Sequence, residues 1–366
     1  MPFLNTPDYS HAAPRKTAVI LVNLGTPQAP TARAVRTYLA EFLGDPRVVE
    51  IPRLLWLIIL HGIILRVRPA KSAKKYASVW TGAGSPLAVH TAAQTDILAG
   101  RMKAIAPDLM VTHAMNYGQP SLKTLMDNLV RSQGVDKLLI VPLFPQYSAT
   151  TTGSIFDGVC SAMKRLRNPP ELRMVKHYHD DAAYIAALAA QVRAHWAAHP
   201  WAADEKKQLV MTFHGLPQRN LMLGDPYHCE CHKTARLLAE SLGLAKTEYT
   251  VTFQSRFGKA KWLQPYTEPT LIEMAKTHPR VDVFCPGFTG DCLETLEEIA
   301  MEAKEAFIHA GGQQFYYIEA LNEAPLWNDA LQALVQRHLQ GWDSQLESGA
   351  ALKLRADAAL ALGAKH

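Results

Sequence analysis

The chain has 366 residues, 48% of them hydrophobic and 19% charged, which is more than one hydrophobic core usually organises, so two domains are the default. Its 38 basic and 33 acidic residues leave a net charge of +5, too mild and too scattered to argue for nucleic acid. Five cysteines without framework spacing read as a reduced, cytoplasmic protein, and the first sixteen residues lack the apolar stretch of a secretory signal.

In chain order, residues 17–23 are a continuous apolar run that empties into Leu24-Gly25-Thr26-Pro27, the pattern of a buried parallel strand ending in a loop. Arg53 to Arg68 is an apolar run flanked by arginines, too short for a spanning helix, which needs about 20 apolar residues. It reads either as a buried core helix or as an interfacial, ligand-entrance segment, with Trp56 and the arginines suited to a headgroup boundary. Further strands are predicted at 109–115 and 137–144, then at 172–175, 208–213, 250–253, 281–285 and 314–318. Three strands with polar, Gly- or Pro-bearing mouths in each half predict an α/β protein of two similar Rossmann-like, doubly wound parallel-sheet domains. Their mouths should line one cleft, because ligands in such folds sit beyond the carboxyl ends of the strands. The expected division is 1–165, an N-terminal domain with an apolar lip at 53–69; 166–322, a C-terminal domain; 323–347, a C-terminal helix; and 348–366, a tail without order.

No G-x-G-x-x-G follows the first strand and no P-loop or nucleophile elbow occurs, so dinucleotide, kinase and hydrolase readings have no support. His228-Cys229-Glu230-Cys231-His232 packs potential metal ligands together but lacks the second distant pair of a zinc knuckle, so local packing is the default. His177 and His179 are given a structural role. His214 differs: it ends an apolar strand, with Gly215 beside it and Pro217 fixing the turn. In the same half, after Pro286, Glu294, Glu298 and Glu302 step by four along a helix whose apolar side is read as Leu293, Leu296, Ala300, Ala303 and Phe307. Such a stripe also suits a solvated amphipathic helix, and Asp291 and Glu294 have capping-box spacing. A four-residue step drifts by about 40° in an α-helix, so the acids line up only if the helix widens toward π geometry.

Several motifs in one order carry a resemblance: 21–27 (Leu-Val-Asn-Leu-Gly-Thr-Pro), Gly82 to Pro86, Pro145 to Ser148 with Thr151 to Ser154, Phe213 to Pro217, Gln254 to Gly258 with Trp262, and Cys292 to Glu298. From about Val19 to Leu334 the chain resembles ferrochelatases, which insert ferrous iron into a porphyrin. The resemblance implies a chelatase fold with porphyrin in the cleft, His214 and Glu294 as the catalytic, metal-binding pair, and Glu298 and Glu302 as a metal or proton relay. It further implies porphyrin contacts at Leu24, Tyr117, Tyr147, Trp262 and Pro286, and a lip through Leu54, Trp56 and Leu57.

The substrates so implied are Fe²⁺ and protoporphyrin IX, because coproporphyrin-using relatives place a tyrosine at the position of Leu24. Coproporphyrin, another tetrapyrrole chelation, or non-catalytic porphyrin carriage are the alternatives. No [2Fe-2S] cluster is expected, since no cysteine follows Cys292 and Ala149 stands where animal members have a ligand. Cys292 occupies a position that is histidine in some members, and Asn116 one that is arginine in many. No permanently bound cofactor, a monomer, and a cytoplasmic location with the lip in peripheral contact with the inner face of the plasma membrane complete the expectation.

Overall fold

Eight strands among the described residues divide into two parallel sheets. The computed structural model describes residues 3–4, 9–202, 205–258, 260–342 and 345–365. β1 (Lys16–Thr26), β2 (Met110–Gly118), β3 (Val135–Pro142) and β4 (Glu171–Met174) form the first sheet, ordered β2-β1-β3-β4. β5 (Leu209–His214), β6 (Tyr249–Gln254), β7 (Arg280–Phe284) and β8 (Gln314–Ile318) form the second, ordered β6-β5-β7-β8. The order within the two sheets is the same, so the chain builds one α/β plan twice. β1 is central, covered on both faces, and its Ala18 to Val22 stretch is fully buried, which is why it reads as unbroken apolar sequence rather than as alternation.

The expected division needs two corrections. Each sheet has four strands rather than three, and β4, expected to open the second domain, pairs with β3 through Lys137↔Glu171 to Ile140↔Met174. The first sheet therefore closes beyond residue 165. The tail from 348 carries a helix, Gly349–Ala361: Ser348 caps it by accepting from the Ala351 amide, alanines favour it, and Arg355 ties it to the carbonyls of His11 and Ala13. His366 lies outside the described residues.

One core spans both sheets. Val19, Leu21 and Leu139 from the first and Met211, Phe213 and Phe284 from the second share a cluster filled by the helices Ala182–Ala198 and Pro325–Leu339. The second of these helices, expected as an appendage, packs against Ala182–Ala198 and Pro86–Lys103. Its Trp327 is fully buried, stacked on Tyr178 at 6.0 Å and set edge-on to Tyr184.

Both readings of the apolar run are half right, because it has two unlike faces. Helices Arg53–Ile59 and Leu65–Val79 run on through a π-helical turn, Leu60–Ile64. Trp56, Leu60 and Leu65 are buried, whereas Leu54 is 80% and Ile58 72% exposed, with Leu55, Ile63 and Val67 also bare. Trp56 is thus an anchor rather than part of the exposed lip: its indole Nε1 donates to the Leu43 carbonyl at 2.6 Å. Leu57 is half-buried.

Removing the ring that joins the two halves, Trp327→Ala, should cost about 3–5 kcal/mol of unfolding free energy by urea titration. A loss below about 1 kcal/mol would mean that the helix is not part of the shared core.

Candidate active site at the strand mouths

β5 ends in His214, and the next residues set its chemistry. His214 Nδ1 lies 2.7 Å from the Gly215 carbonyl oxygen. A carbonyl only accepts, so Nδ1 carries the ring proton and Nε2 keeps its lone pair for a proton or a metal. Gly215 is required by space: a Cβ there would stand 2.6 Å from the Gln254 carbonyl and 3.2 Å from Trp262 Cε3. Trp262 is held over this turn by a bridge to Pro217, and its buried Nε1 has no acceptor among the described residues.

Gln254, at the end of β6 and level with His214, ties this mouth to the next. Its carbonyl accepts from the Gly215 amide at 2.8 Å, its Oε1 accepts from Thr212 Oγ1 at 3.1 Å, and its Nε2 donates to the Glu294 carbonyl at 2.9 Å. His214 and the first turn of the acidic helix are thereby set by one residue, through its main chain and its side chain respectively.

The loop between β7 and that helix is pinned from within. Asp291 is buried and is not a capping-box residue: Oδ1 accepts from Thr295 Oγ1 at 2.9 Å and from Tyr317 OH, while Oδ2 accepts from Asn322 Nδ2 at 2.7 Å. Gln94, from the first half of the chain, donates to the Thr289 and Asn322 carbonyls at 2.9 and 2.8 Å.

The helix is widened as the acid spacing requires. Glu294–Ala303 is π-helical over ten residues before α geometry resumes at Lys304–His309. Bonding i to i+5 turns the chain less per residue, so residues four apart come back nearly into line. The buried row is accordingly Thr295, Ile299, Ala303 and Phe307, all at spacing four. Leu293, Leu296 and Ala300, expected on the buried side, are only half-buried.

The widening also brings Glu294 and Glu298 together in partial burial. Burial first, and the neighbouring Glu294 second, push the Glu298 carboxyl from its ordinary 4.5 up to about 7, although Ser255 Oγ donates to its Oε2. Burial likewise raises Glu297. Glu302, the next acid along the row, is half exposed and shares Lys75 with Glu297, at 2.8 and 2.9 Å. Tyr38, Tyr76 and Arg68 face Glu294 from the first half of the chain, and burial keeps both phenols protonated. The buried Cys292 thiol beside Glu294 is likewise held neutral, by burial and by that carboxylate.

Of the expected porphyrin contacts, Leu24 is half-buried among the residues that pack beneath the apolar run. Tyr147 is half-buried at the β3 mouth with Lys176 over its ring at 5.0 Å. Trp262 stands against the Gly215 turn, and Tyr117 and Pro286 turn inward. Tyr117 OH is spent on Asp45 Oδ2 at 2.7 Å and on Ser154 Oγ at 2.8 Å, and the Pro286 carbonyl accepts from Tyr184 OH within the core. Gln254, Ser255, Lys75 and the Tyr38–Tyr76 pair are the site residues that sequence reasoning missed. The first two lie inside a motif already singled out, whereas the others come from helices with no local sign of the site.

A family model described as Ferrochelatase matches residues 16–339. Curated relatives named Ferrochelatase include one from Polaromonas sp., 58% identical and covering 100% of both chains, and one from Methylibium petroleiphilum, 55% identical over 98% of each. A third, from Nitrosomonas europaea, is 53% identical over 99% of each.

Because the folded Glu298 holds its proton more tightly than the unfolded chain, stability from this group is full below pH 4.5 and is lost as pH rises toward about 7. Glu298→Gln should flatten that part of the pH dependence in urea unfolding between pH 5 and 7.5. An unchanged slope would contradict the burial of this carboxyl.

Proposed function

This chain belongs to the ferrochelatase family, enzymes of haem biosynthesis that insert iron into a porphyrin, and from that premise we propose which of its residues perform the insertion and which porphyrin they take. The reaction replaces two pyrrole protons by Fe²⁺, so the site has to accept protons and present a dehydrated ion to nitrogens that lie in the ring plane. His214, with Nδ1 tied to Gly215, offers Nε2 to a pyrrole proton or to the ion. Glu294 stands across the same mouth through Gln254 and supplies the charge that holds the incoming cation. Glu298, titrating near neutrality, takes protons onward. The observation that carries this reading is the π-helical stacking of Glu294 with Glu298 one bridge away from His214.

The outer end of the acid row argues for protons rather than iron as its traffic. Lys75 already occupies both Glu297 and Glu302, and its ammonium would oppose a divalent cation entering there. Iron then reaches the His214–Glu294 pair from the cleft.

Protoporphyrin IX is the proposed porphyrin. Leu24 offers no ligand to product iron, and the bare row of Leu54, Leu55, Ile58 and Ile63 favours an apolar ring edge. The same row gives the proposed peripheral contact with the inner face of the membrane from a cytoplasmic protein, and no described helix is long and apolar enough to cross a bilayer. A monomer without a [2Fe-2S] cluster is the proposed state, with His214 and Gln254 at strand ends and Glu294 on the helix after β7 all supplied by one half of one chain.

In anaerobic assays with Fe²⁺, kcat/KM for protoporphyrin IX should exceed that for coproporphyrin III by at least about tenfold; a reversed preference would overturn the substrate assignment. Replacing His214 by Ala, or Glu294 by Gln, should lower kcat by about 10²-fold or more while porphyrin binding, read by tryptophan quenching, stays within a few-fold. Equal losses in binding would make these residues pocket walls only. For the lip, Leu54→Ser with Ile58→Ser should abolish flotation with anionic liposomes without changing insertion into detergent-solubilised porphyrin, and undiminished flotation would remove the membrane contact.

A further inference from the structure

His177, Tyr178 and His179 follow β4 in extended alternation, and the alternation has a purpose. Tyr178 packs into the core against Tyr184 and Trp327, and the rings of exposed His177 and buried His179 come together, centroids 5.0 Å apart. What they meet is Glu230, on the first turn of helix Tyr227–Leu242. His177 Nδ1 is 2.7 Å from Glu230 Oε1, and His179 Nδ1 is 3.3 Å from Oε2. One potential ligand atom from each residue lies within 4.8 Å of the others, and this is the one such trio among the described residues.

We propose that His177, His179 and Glu230 form a second divalent-cation site, separate from the His214–Glu294 pair, for a borderline ion of the Zn²⁺, Fe²⁺ or Co²⁺ class. Two imidazoles and one carboxylate are a donor set that suits these ions, with the remaining positions left to water. Metal–ligand bonds of about 2.0–2.2 Å in a tetrahedron leave ligands about 3.3 Å apart; the His179–Glu230 spacing of 3.3 Å already matches this, and the 2.7 Å His177–Glu230 contact would open slightly to admit the ion.

A second observation favours an ion over a plain hydrogen-bonded trio. His179 is 6% exposed, and its Nδ1 has no hydrogen-bond partner despite the carboxylate oxygen beside it. A buried nitrogen facing an acceptor without bonding it is costly, and a cation shared between the two would satisfy both.

The surroundings supply the supports that ligands need. Tyr147 N donates to Glu230 Oε2 at 2.7 Å, Thr234 Oγ1 donates to the His179 carbonyl at 2.7 Å, and Gln146 Nε2 donates to Thr234 Oγ1 at 2.9 Å. His179 Nε2 faces Asp180 Oδ2 at 3.9 Å, and the nearby Lys233 charge is spent on that same Asp180. Lys176 lies over the Tyr147 ring. An ion here would brace the 145–154 loop, and with it Tyr147, from behind.

The test titrates Co²⁺, read by visible absorption, and Zn²⁺, read by calorimetry and thermal midpoint, into the metal-free full chain. Four proteins are compared: wild type, Glu294→Gln, His177→Ala and Glu230→Gln. His177 is exposed and Glu230→Gln keeps the shape of the side chain, so both variants should fold, with unchanged metal-free midpoints as the check. Glu294→Gln should retain one tightly bound ion per chain and its metal-induced rise in midpoint. His177→Ala and Glu230→Gln should bind that ion at least about tenfold more weakly and lose the rise. Equal affinity and stoichiometry in wild type and His177→Ala, or loss of binding in Glu294→Gln alone, would overturn the proposal.

Discussion

Carboxylates resist being stacked out of water, and the second half of this chain is arranged around that resistance. Glu294, Glu297 and Glu298 sit within five residues of one helix with at most partial access to solvent. Each is accommodated differently: Glu297 by the ammonium of Lys75, Glu298 by Ser255 and by retaining its proton toward neutral pH, and Glu294 beside the protonated phenols of Tyr38 and Tyr76. The π geometry makes the stacking unavoidable, because it returns residues four apart to one line. A site that takes up metal and protons profits from what a structural helix would avoid: crowded, half-buried carboxylates attract a cation and keep a proton up toward neutral pH.

The scaffold supplies the rigidity that such crowding needs. Two sheets of like order share one core through Trp327 and the helices around it, so the mouths of the two halves do not drift independently. Asp291 nails the approach to the acidic helix from inside its own half, and Gln94 clamps it from the other. The glycine after His214 lets the backbone of β5 run against Gln254 and Trp262 where a side chain would collide. Catalytic geometry here is mainly a matter of backbone carbonyls that have no freedom left.

Much of this was legible in the sequence because burial on both faces writes strands as unbroken apolar runs. β1, β5 and β7 were found for that reason, and the widened helix was anticipated from the acid spacing itself. β4 was located but given to the wrong sheet, since a four-residue edge strand carries no record of its partner. Trp56 was misread for a related reason: an apolar run does not say which of its side chains is the anchor, and only the Leu43 carbonyl in three dimensions decides it. Tyr117 and Pro286 sit in the expected mouths, yet their polar atoms are consumed by Asp45, Ser154 and Tyr184. Lys75 and the Tyr38–Tyr76 pair were invisible because they approach Glu294 and its neighbours from more than two hundred residues away in the chain.

The central claim is that His214 and the Glu294 end of the widened helix act as one unit on the bound porphyrin. The most direct measurement is a double-mutant cycle on single-turnover Fe²⁺ insertion, comparing His214→Ala, Glu294→Gln and the combined variant. Residues that work as a unit are strongly non-additive, so the double variant should be no more than a few-fold slower than the slower single variant. Multiplying losses would show that the two groups act independently and would contradict the account.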